Sequence, residues 1–524
     1  MRVAILEPAP VHHGWFHVEI RTPHLGPPVL AARLRDAGHT ATVYSEFVAP
    51  IPLPALSAYD AIGISANTTL THQRSYALAD YVRRALPGRP LIAGGHHATM
   101  NVDQALRHVD YVVRGYAEES LPALVAELAT GVTSPRTAGV SYLDPGTRRR
   151  VDNPSQATTD IGTAPDLDAI AGYRQLVRSR LRTPQQYAAQ LPLSYFSRGC
   201  GFSCDFCAIP IADNPRMTYR APAEVIDDLR YQMDFYSPRR SARRFLSFWL
   251  IDDNFGQHHE PTEEFLAKLV EARLDCRFVV QSRVEIARHA RLLQLMKQAR
   301  FHSIYLGIES ISNTSLKSLM KRSNRDKIQL AIDSIRRHDI NVVALLMFGN
   351  DHETRGVADH TTAYLREHGI RHICPQITVP YPGTAFYARI VREGRLFFDD
   401  YRFANWLPMY FPDSMRPSRT LRETIRSVEL HYTWRRHWDD VVHHRDLKNV
   451  LAHLTIKRSR ILRHMQRMIP ALQRLEAPYY DDREALDVDA VRRAQDSGAL
   501  RERVEAILAP ELRALAPSVN HDLR

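Results

Sequence analysis

Short apolar strands alternate with amphipathic helices along most of this chain, and this alternation constrains its fold more than any other feature. In the first series, helices are predicted at Gln73–Leu86 and Glu119–Leu128. The strands predicted there are Val3–Glu7, Thr40–Ser45, Ala61–Ser65, Pro90–Ala93 and Tyr111–Val113. Because strands separated by helices pair in parallel, residues 2–130 are expected to form a doubly wound, Rossmann-like α/β domain.

Small and polar residues follow these strands, at the edge where doubly wound domains bind their ligands. The third strand is followed by Ser65-Ala-Asn-Thr68, the fourth by Gly94-Gly95-His96-His97, and the fifth by Gly115. Paired glycines allow a ligand to approach the backbone closely. A ligand site is therefore predicted at this edge. The histidines here, and His12 and His13 after the first strand, are interpreted as ordinary loop residues among the 25 histidines of the chain.

A second strand–helix series begins at Leu193 and predicts a partial (β/α)6 barrel of the TIM type. Helices are expected at Thr262–Ala272 and Arg288–Gln298. The predicted strands are Leu193–Ser197, Phe245–Ile251, Arg277–Gln281, Ser303–Ile308, Val342–Phe348 and Gln376–Val379. Sites in such barrels lie at the C-terminal ends of the strands, so the residues after these strands are the candidates for chemistry.

The 524 residues suggest about three folded domains. The predicted segments are a doubly wound domain over 1–132, a connector over 133–190, a barrel over 191–388 and a mainly helical C-terminal region over 389–524. Within the connector, the turn residues Asp144-Pro-Gly-Thr147 lie between two short strand patterns, which is typical of a hairpin.

The bulk composition excludes several classes of protein. The longest apolar run, Val342–Phe348, is far shorter than the 18 or so residues of a membrane helix, and the first residues predict a strand rather than a signal peptide. A cytoplasmic location and no membrane span are therefore expected. The net charge of +11 is interpreted as solvated helix faces, with attraction to an anionic substrate as the alternative. Nucleic-acid binding is not expected, because no recognised module is present.

The cysteines carry the clearest chemical signal. Three of the five lie within eight residues, as Cys200-Gly-Phe-Ser-Cys204-Asp-Phe-Cys207, directly after a predicted strand. Thiolates suit iron–sulfur clusters or zinc, but a structural zinc site needs four ligands, and no fourth cysteine or histidine lies close by. Three ligands leave one iron of a [4Fe–4S] cubane open to a substrate. A zinc site completed by a distant ligand is the alternative. Cys276 and Cys374 are interpreted as core residues, with a site-facing thiol as a second possibility for Cys374.

The Cys-x3-Cys-x2-Cys spacing on a loop after the first barrel strand resembles the signature of the radical S-adenosylmethionine (SAM) superfamily. The resemblance covers roughly residues 193–384. It implies that Cys200, Cys204 and Cys207 bind the cluster and that the amine and carboxylate of SAM chelate the fourth iron. It also implies that Phe206 packs near the adenine of SAM.

Later strand ends carry further matches to this superfamily. The segment after the second strand, Ile251-Asp252-Asp253-Asn254-Phe255, resembles that of cobalamin-linked members, and Leu306-Gly-Ile-Glu309-Ser is similar to their Gly-x-Glu-Ser segment. A cationic sulfonium ligand with an ammonium group attracts carboxylates, and its own carboxylate attracts an arginine or a backbone amide. The SAM contacts implied by the resemblance are Phe206, Asp252, Asp253, Asn254, Gln281, Arg283 and Glu309.

The N-terminal domain resembles the cobalamin (B12)-binding domain that precedes many radical SAM barrels. The cobalamin contacts implied by this resemblance are Ser65, Thr68, Gly94, Gly95, His96 and Gly115. The Asp-x-His-x-x-Gly motif, whose histidine binds cobalt in other cobalamin proteins, is absent, which leaves open a degenerate domain that no longer binds the cofactor. The strand pattern alone would also fit a flavodoxin-like fold.

The resemblance implies a radical SAM enzyme that cleaves SAM to a 5′-deoxyadenosyl radical and, with cobalamin, methylates an unactivated carbon of a small biosynthetic intermediate. A cyclase, mutase or oxidative rearrangement enzyme without methyl transfer is the first alternative, and a non-catalytic iron–sulfur sensor is the second. An electron donor such as flavodoxin or ferredoxin is implied as a partner. No general acid or base is nominated, because chemistry at the carbon centre requires none.

Overall fold

The computed structural model describes residues 1–9, 22–67, 71–155, 160–179, 191–212, 216–237, 246–404, 406–433 and 460–515. Two largely parallel sheets dominate this part of the chain, and a mainly helical region follows the second. The predicted α/β class is therefore confirmed, as is the division into a doubly wound sheet and a partial barrel. The predicted limits of the domains stay a prediction.

The N-terminal sheet has seven strands in the order β2-β1-β3-β4-β5-β6-β7. The first five strands are parallel, and β6 pairs antiparallel with both β5 and β7. Their bounds are Arg2–Glu7, Thr40–Ser45, Ala61–Ser65, Leu91–Gly94, Tyr111–Val113, Val140–Leu143 and Arg150–Asp152. The chain leaves β1 toward β2 and returns on its other side as β3, so the loops after β1 and β3 diverge and open a crevice at the carboxyl edge.

The side chains of β1 alternate between two apolar cores, which explains why this sheet is covered on both faces. Ala4 and Leu6 belong to one apolar core, whereas Val3 and Ile5 belong to another on the opposite face. Because successive side chains of a strand point to opposite faces, both faces need a helical layer. The helices of this region are α1 Gly26–Asp36, α2 His72–Ala85, α3 His96–Met100, α4 Val102–Ala105 and α5 Ser120–Ala129.

The predicted hairpin is present, and its strands β6 and β7 extend the N-terminal sheet. Asp144 accepts hydrogen bonds from the backbone N–H groups of Gly146 (3.2 Å) and Thr147 (2.7 Å), which stabilises the turn. The sheet therefore continues into the stretch that the sequence predicted to be a connector.

The second sheet has six strands, all parallel, in the order β8-β11-β12-β13-β14-β15. They are β8 Leu193–Ser194, β11 Ser247–Leu250, β12 Arg277–Arg283, β13 Phe301–Glu309, β14 Asn341–Phe348 and β15 His372–Ile377. The strand order follows the chain order, as in a β/α barrel, and β8 and β15 form the open edges. A separate two-stranded ribbon pairs β9 Ser197–Arg198 with β10 Thr218–Tyr219.

Two strand predictions need correction. The strand predicted at Leu193–Ser197 is two strands, because the chain leaves the barrel sheet after Ser194 to form the ribbon. The strand predicted at Gln376–Val379 lies instead at His372–Ile377. The observed strand contains Pro375, which can be accommodated because β15 is an edge strand. Cys374 therefore lies within this strand, not before it.

The barrel helices and the C-terminal helices enclose one continuous apolar core, which extends from Phe248 in β11 to Leu508 near the end of the chain. Cys276 is fully buried in it, as predicted. Helix α6 Tyr173–Arg178 packs instead in an apolar core of the N-terminal sheet. The helices of the barrel and the C-terminal region are α7 Ile209–Ala212, α8 Pro222–Tyr236, α9 His259–Glu271, α10 Ala290–Gln298, α11 Asn313–Ser318, α12 Arg325–Arg337, α13 Val357–Glu367, α14 Ala385–Arg392, α15 Pro417–His431, α16 Arg460–Glu476, α17 Val488–Asp496 and α18 Ala499–Leu515. None of the described helices has both the length and the apolar composition to cross a membrane.

Candidate active site

The cysteine loop begins directly after the ribbon strand β9. Gly199 has φ of +90°, a left-handed conformation that turns the chain toward the carboxyl ends of the barrel strands. Cys200 is buried, while Cys204 and Cys207 are half-buried. The backbone N–H of Cys207 donates to the carbonyl oxygen of Cys204 at 3.2 Å, so the last two cysteines share one turn.

The three thiols lie close enough to influence one another's ionisation. Burial, and then the charges of Cys204, Cys200 and Asp253, raise the pKa of Cys207 to about 12. Burial also raises the pKa of Cys200, against the lowering effect of Arg283. Cys200 and Cys207 therefore hold their protons more tightly than ordinary thiols, and binding a metal centre through them would release protons.

Alternatives to an iron–sulfur cluster need a ligand set for a single ion. Across the described ranges, no group of three or more histidine, cysteine or carboxylate side chains is arranged to hold one metal ion. This holds for the three cysteines of the loop as well.

Two adjacent carboxylates after β11 bind the backbone that leads into the cysteine loop. Asp252, 2% exposed, accepts hydrogen bonds from the backbone N–H of Phe196 (3.1 Å) and from the N–H (2.6 Å) and hydroxyl (2.5 Å) of Ser197. Burial raises the pKa of Asp252 to about 6. Asp253 accepts from the backbone N–H of Gly199 at 2.8 Å. Both predicted SAM contacts therefore also shape the loop, and Asp252 is bonded entirely within the protein.

Arg283, at the end of β12, directs its guanidinium at the cysteine loop. Its Nη1 donates to the Cys204 sulfur at 3.0 Å, and its Nε donates to Glu285 at 3.1 Å. Its Nη2 donates to the carbonyl oxygen of Lys321 at 2.5 Å, and its Cζ lies 3.9 Å from the centre of the Phe202 ring. Burial opposes the charged form, but Glu285 and Cys204 outweigh it and hold the pKa of Arg283 above its usual value. The predicted SAM ligand is thus largely engaged by protein partners.

Glu309, at the end of β13, is paired with a lysine that the sequence did not indicate. Lys321 Nζ lies 2.8 Å from Glu309 Oε1, and the two side chains are 4% and 11% exposed. Glu309 has φ of +63°, a strained conformation for this residue type that is common at functional sites. A Cβ on Gly307 would lie 2.8 Å from Glu309 Oε1 and 2.9 Å from Lys321 Nζ, so this glycine makes room for the pair. Lys321 follows a short helix rather than a strand, which is why the strand-end pattern missed it.

The remaining predicted SAM contacts surround the same loop. Asn254 is buried; its Oδ1 accepts from the Arg283 N–H at 3.2 Å and its Nδ2 donates to Gln257 at 3.0 Å. Gln281 is half-buried, and its carbonyl oxygen accepts from the N–H of Phe255. Phe206 is half-buried against an apolar group that contains Phe386, Ile390 and Tyr410.

A cavity of about 290 Å³ lies between the carboxyl edge of the N-terminal sheet and the barrel. The N-terminal domain contributes mainly aliphatic side chains, such as Ile5, Ile64 and Leu121, together with glycines. The barrel contributes Leu193, Tyr195, Arg198, Ile251 and Asp253. Because Arg198 and Asp253 also adjoin the cysteine loop, the cavity and the loop share a wall.

The predicted cobalamin contacts that the structure describes all line this cavity: Ser65, Gly94, Gly95, His96 and Gly115. Thr68 lies outside the described residues, as do His12 and His13. Gly95 has φ of +106°, and a Cβ there would lie 2.6 Å from the Asn67 Cα. The close approach of these backbones requires glycine.

The two histidines after β4 differ. His97 is 1% exposed and stacks on His72 with ring centres 4.1 Å apart. Burial, and then His72, lower the pKa of His97 to about 3, so it is a neutral core residue. His96 lines the cavity, and its Nδ1 lies 3.0 Å from Asn67 Oδ1.

Two protein-family models match the two halves of this architecture. The B12 binding domain matches residues 16–125, and the Radical SAM superfamily matches residues 194–379. The second match contains the cysteine loop and the ends of the barrel strands, and the first contains most of the cavity's N-terminal wall.

Curated relatives include enzymes of two kinds. The bacteriochlorophyllide d C-8(2)-methyltransferase of Chlorobaculum tepidum is 23% identical, over 72% of this chain and 78% of the relative. The anaerobic magnesium-protoporphyrin IX monomethyl ester cyclase of Rubrivivax gelatinosus is 23% identical, over 79% of this chain and 74% of the relative. Each alignment is long enough to include both sheets.

Among solved structures, the cobalamin-dependent S-adenosylmethionine radical enzyme OxsB, with aqua-cobalamin and S-adenosylmethionine bound, has a similar fold. The TM-score is 0.66 at 13% sequence identity, and the similarity covers 98% of this chain and 81% of OxsB. The fold similarity therefore extends over the C-terminal helices as well as both sheets.

Proposed function

Because this chain belongs to the radical SAM enzymes that carry an N-terminal B12-binding domain, we propose that it is a cobalamin-dependent C-methyltransferase. The observation that carries the proposal is the shared wall: Arg198 and Asp253 line the cavity between the sheets and adjoin the cysteine loop. A group bound in the cavity and a group bound on the cysteine loop would therefore be neighbours. When bound, the cluster supplies the electron that cleaves SAM, and cobalamin supplies a cobalt centre that carries a methyl group.

The cysteine loop fits a [4Fe–4S] cluster. Cys200, Cys204 and Cys207 would hold three of its irons, and the fourth would remain for SAM. The Arg283 guanidinium, 3.0 Å from the Cys204 sulfur, would offset part of the negative charge that thiolates bring to a buried site.

The surroundings of the loop fit the SAM part of the proposal. We assign the ammonium group to the carboxylates of Asp253 and Glu309, and the carboxylate to the Lys321 ammonium, which is buried and points at Glu309. Gln281 and Phe206 would contact the nucleoside. Asp252, Asn254 and Arg283 are assigned instead to holding the loop, because their hydrogen bonds are made within the protein.

The cavity fits the cobalamin part. Its aliphatic walls suit the faces of a broad macrocycle, and the backbone edges at Ser65, Gly94 and Gly115 offer N–H and C=O groups to peripheral amides. Gly95 keeps this edge free of side chains. His96, the first residue of α3, lines the cavity and is assigned a contact with the cofactor.

The long alignment to a methyltransferase favours methyl transfer to carbon, and the alignment to a cyclase favours an oxidative ring closure as the second candidate. Both would act on a small-molecule substrate, and both require a one-electron donor, for which a flavodoxin or ferredoxin is proposed. The two functions differ in what becomes of SAM: methyl transfer releases S-adenosylhomocysteine together with 5′-deoxyadenosine, whereas cyclisation releases 5′-deoxyadenosine without a methylated product.

Anaerobic reconstitution with iron, sulfide, hydroxocobalamin and SAM tests the proposal. We expect about four iron and four sulfide per chain, an absorption spectrum that contains cobalamin bands after desalting, and both SAM-derived products under dithionite. A protein that retains the cluster and releases only 5′-deoxyadenosine would favour the cyclase function. A protein that retains no cobalamin, or that binds zinc through four side chains, would contradict the proposal.

A further inference from the structure

One buried ion pair joins the two halves of the molecule at the cavity wall. Glu118 lies in the loop between β5 and α5 of the N-terminal domain, and Arg198 is the last residue of the ribbon strand β9. Arg198 Nη1 contacts Glu118 Oε1, and the side chains are 16% and 5% exposed, respectively. Both residues line the cavity.

Aromatic rings fix the orientation of the arginine in this pair. The Arg198 Cζ lies 4.9 Å from the ring centre of Tyr116 and 4.4 Å from that of Tyr195. The hydroxyl of Tyr195 in turn donates to the carbonyl oxygen of Ile161 at 2.9 Å. Burial opposes the charged form of Arg198, but Glu118 outweighs it and keeps the pKa above its usual value. The guanidinium is therefore charged and held in one place.

The start of the cysteine loop is held at two adjacent points, Arg198 by Glu118 and Gly199 by Asp253. Arg198 is two residues before Cys200, and the N–H between them, that of Gly199, donates to Asp253 Oδ2 at 2.8 Å. Asp253 belongs to the barrel, whereas Glu118 belongs to the N-terminal domain. Through Arg198, the start of the loop is tied to the domain across the cavity.

We propose that Glu118 and Arg198 are positioning residues that fix the cysteine loop relative to the cavity. This inference rests on the proposed function, in which one group is bound on the loop and a second in the cavity. A purely structural connection could be apolar at lower cost, because burying two charges requires their desolvation. A directional pair sets the offset between the two bound groups, and transfer between reacting centres is sensitive to displacements of about 1 Å.

The first test compares Glu118→Gln with Glu46→Gln in the full-length, anaerobically reconstituted protein. Glu46 is a matched control: it belongs to the same domain, pairs with Arg74 at 2.6 Å with both side chains largely buried, and is not among the described residues that line the cavity. The protein is loaded with hydroxocobalamin and SAM, and S-adenosylhomocysteine and 5′-deoxyadenosine are both measured under a low-potential reductant.

We expect Glu118→Gln to lower S-adenosylhomocysteine formation about tenfold or more, the scale of effect that misplaced reacting groups produce. Release of 5′-deoxyadenosine, which needs only the loop and SAM, should fall by a much smaller factor. Glu46→Gln should match the wild type for both products. Equal losses of the two products in Glu118→Gln, or no loss relative to Glu46→Gln, would overturn the inference.

A spectroscopic measurement tests the geometry without turnover. With cobalt as Co(II) and the cluster reduced, each centre is paramagnetic, and the relaxation enhancement of the cobalt signal reports the distance between them. The wild type and Glu46→Gln should give one narrow distribution, and Glu118→Gln a broader or shifted one. An unchanged distribution would overturn the positioning role even if activity fell.

The double variant distinguishes a pair from two separate roles. If the residues act only through each other, Glu118→Leu with Arg198→Met should lose no more S-adenosylhomocysteine formation than Arg198→Met alone. Losses that multiply would overturn the pairing. If the wild type itself forms neither product, the proposed function is wrong and the inference is overturned with it. If the wild type forms both and the Glu118 and Arg198 variants match it, only this inference is wrong.

Discussion

The two largely parallel sheets present the carboxyl ends of their strands to the same region of the molecule, but the residue types at those ends differ. The N-terminal strands end in small residues such as Ser65, Gly94 and Gly115, which leave open space. The barrel strands end in charged side chains such as Arg283, which bonds to Cys204 and Glu285, and Glu309, which pairs with Lys321.

This difference teaches how each half would recognise its ligand. A hollow edge with exposed backbone binds by shape and by main-chain hydrogen bonds, and its polar groups need not be neutralised. A charged edge is organised before the ligand arrives, because each charge is already paired and oriented. Substitutions in the barrel should therefore act through charge and hydrogen bonding, and substitutions in the N-terminal edge should act through volume.

The largest effect is expected from Cys204→Ser, which tests the charged half directly. A hydroxyl is a poor ligand for iron, and the remaining two thiols leave the cluster under-coordinated. Iron content after anaerobic reconstitution and release of 5′-deoxyadenosine should both fall to background. Cys276→Ala is the control, since this cysteine is fully buried in the apolar core and should leave both values near those of the wild type. Cluster retention in Cys204→Ser would break the assignment of the loop.

The next largest effect is expected from Gly95→Ala, which forces the backbone at the hollow edge to move. The new Cβ would lie 2.6 Å from the Asn67 Cα in a backbone with φ of +106°, so the cavity edge must shift. We expect the Kd for hydroxocobalamin, measured by optical titration, to rise about tenfold or more, equivalent to about 1.4 kcal/mol. Iron content should be unaffected.

Gly88→Ala is the matched control for this substitution. Gly88 has φ of +80°, but nothing lies within 4 Å of a Cβ built on it. Gly88→Ala therefore introduces the same kind of backbone strain without a clash at the cavity edge. If the two variants bind hydroxocobalamin equally well, the N-terminal edge does not recognise its ligand by shape, and the comparison between the two halves fails there.

The sequence allowed the architecture of both halves to be predicted, because strand–helix alternation requires only local periodicity. It also placed the cysteine loop and the glycine-rich edge correctly, since residues after parallel strands share one edge. Both predictions depend on which strand end a residue follows, and the sequence states that directly.

The sequence did not reveal which charged residues bond to one another. Asp252 was expected to face SAM, but its oxygens accept hydrogen bonds from Phe196 and Ser197, more than 50 residues away in sequence. Lys321 and the Glu118–Arg198 pair were missed for the same reason. Which partner a charged side chain meets depends on long-range packing and carries no periodic signal. The strand around Cys374 was misplaced; it contains Pro375, which an edge strand tolerates, and the position of a strand within a sheet is set by long-range pairing.

A pH-dependent effect on stability is expected from Glu353, which tests the cost of buried charge in the barrel half. Its carboxylate accepts from the N–H groups of Gly349 (2.8 Å) and Asn350 (3.2 Å), and burial raises its pKa from 4.5 to about 7. The folded state holds the Glu353 proton more tightly than the unfolded state does. The contribution of Glu353 to the free energy of unfolding is therefore greatest below pH 4.5 and declines as pH rises through 7. Between pH 5 and 7, urea unfolding of the wild type should lose on the order of 2 kcal/mol that Glu353→Gln does not lose. Parallel pH profiles for the two proteins would contradict this assignment.

The smallest effect is expected from Arg283→Gln, which sharpens the comparison at the point where charge meets the cluster loop. The Arg283 Nη1 lies 3.0 Å from the Cys204 sulfur, and donation to a thiolate stabilises the more negative, reduced cluster. Removing it should lower the midpoint potential in an anaerobic EPR titration by about 60 mV, the one-electron equivalent of about 1.4 kcal/mol for a charged hydrogen bond. Arg288→Gln, an exposed position on the turn after β12, removes the same charge without the hydrogen bond and should shift the potential by far less. Equal shifts in the two variants would show that the net charge of the barrel end, rather than this one hydrogen bond, sets the midpoint potential. The charged edge would then act through its summed electrostatic potential rather than through individual oriented hydrogen bonds.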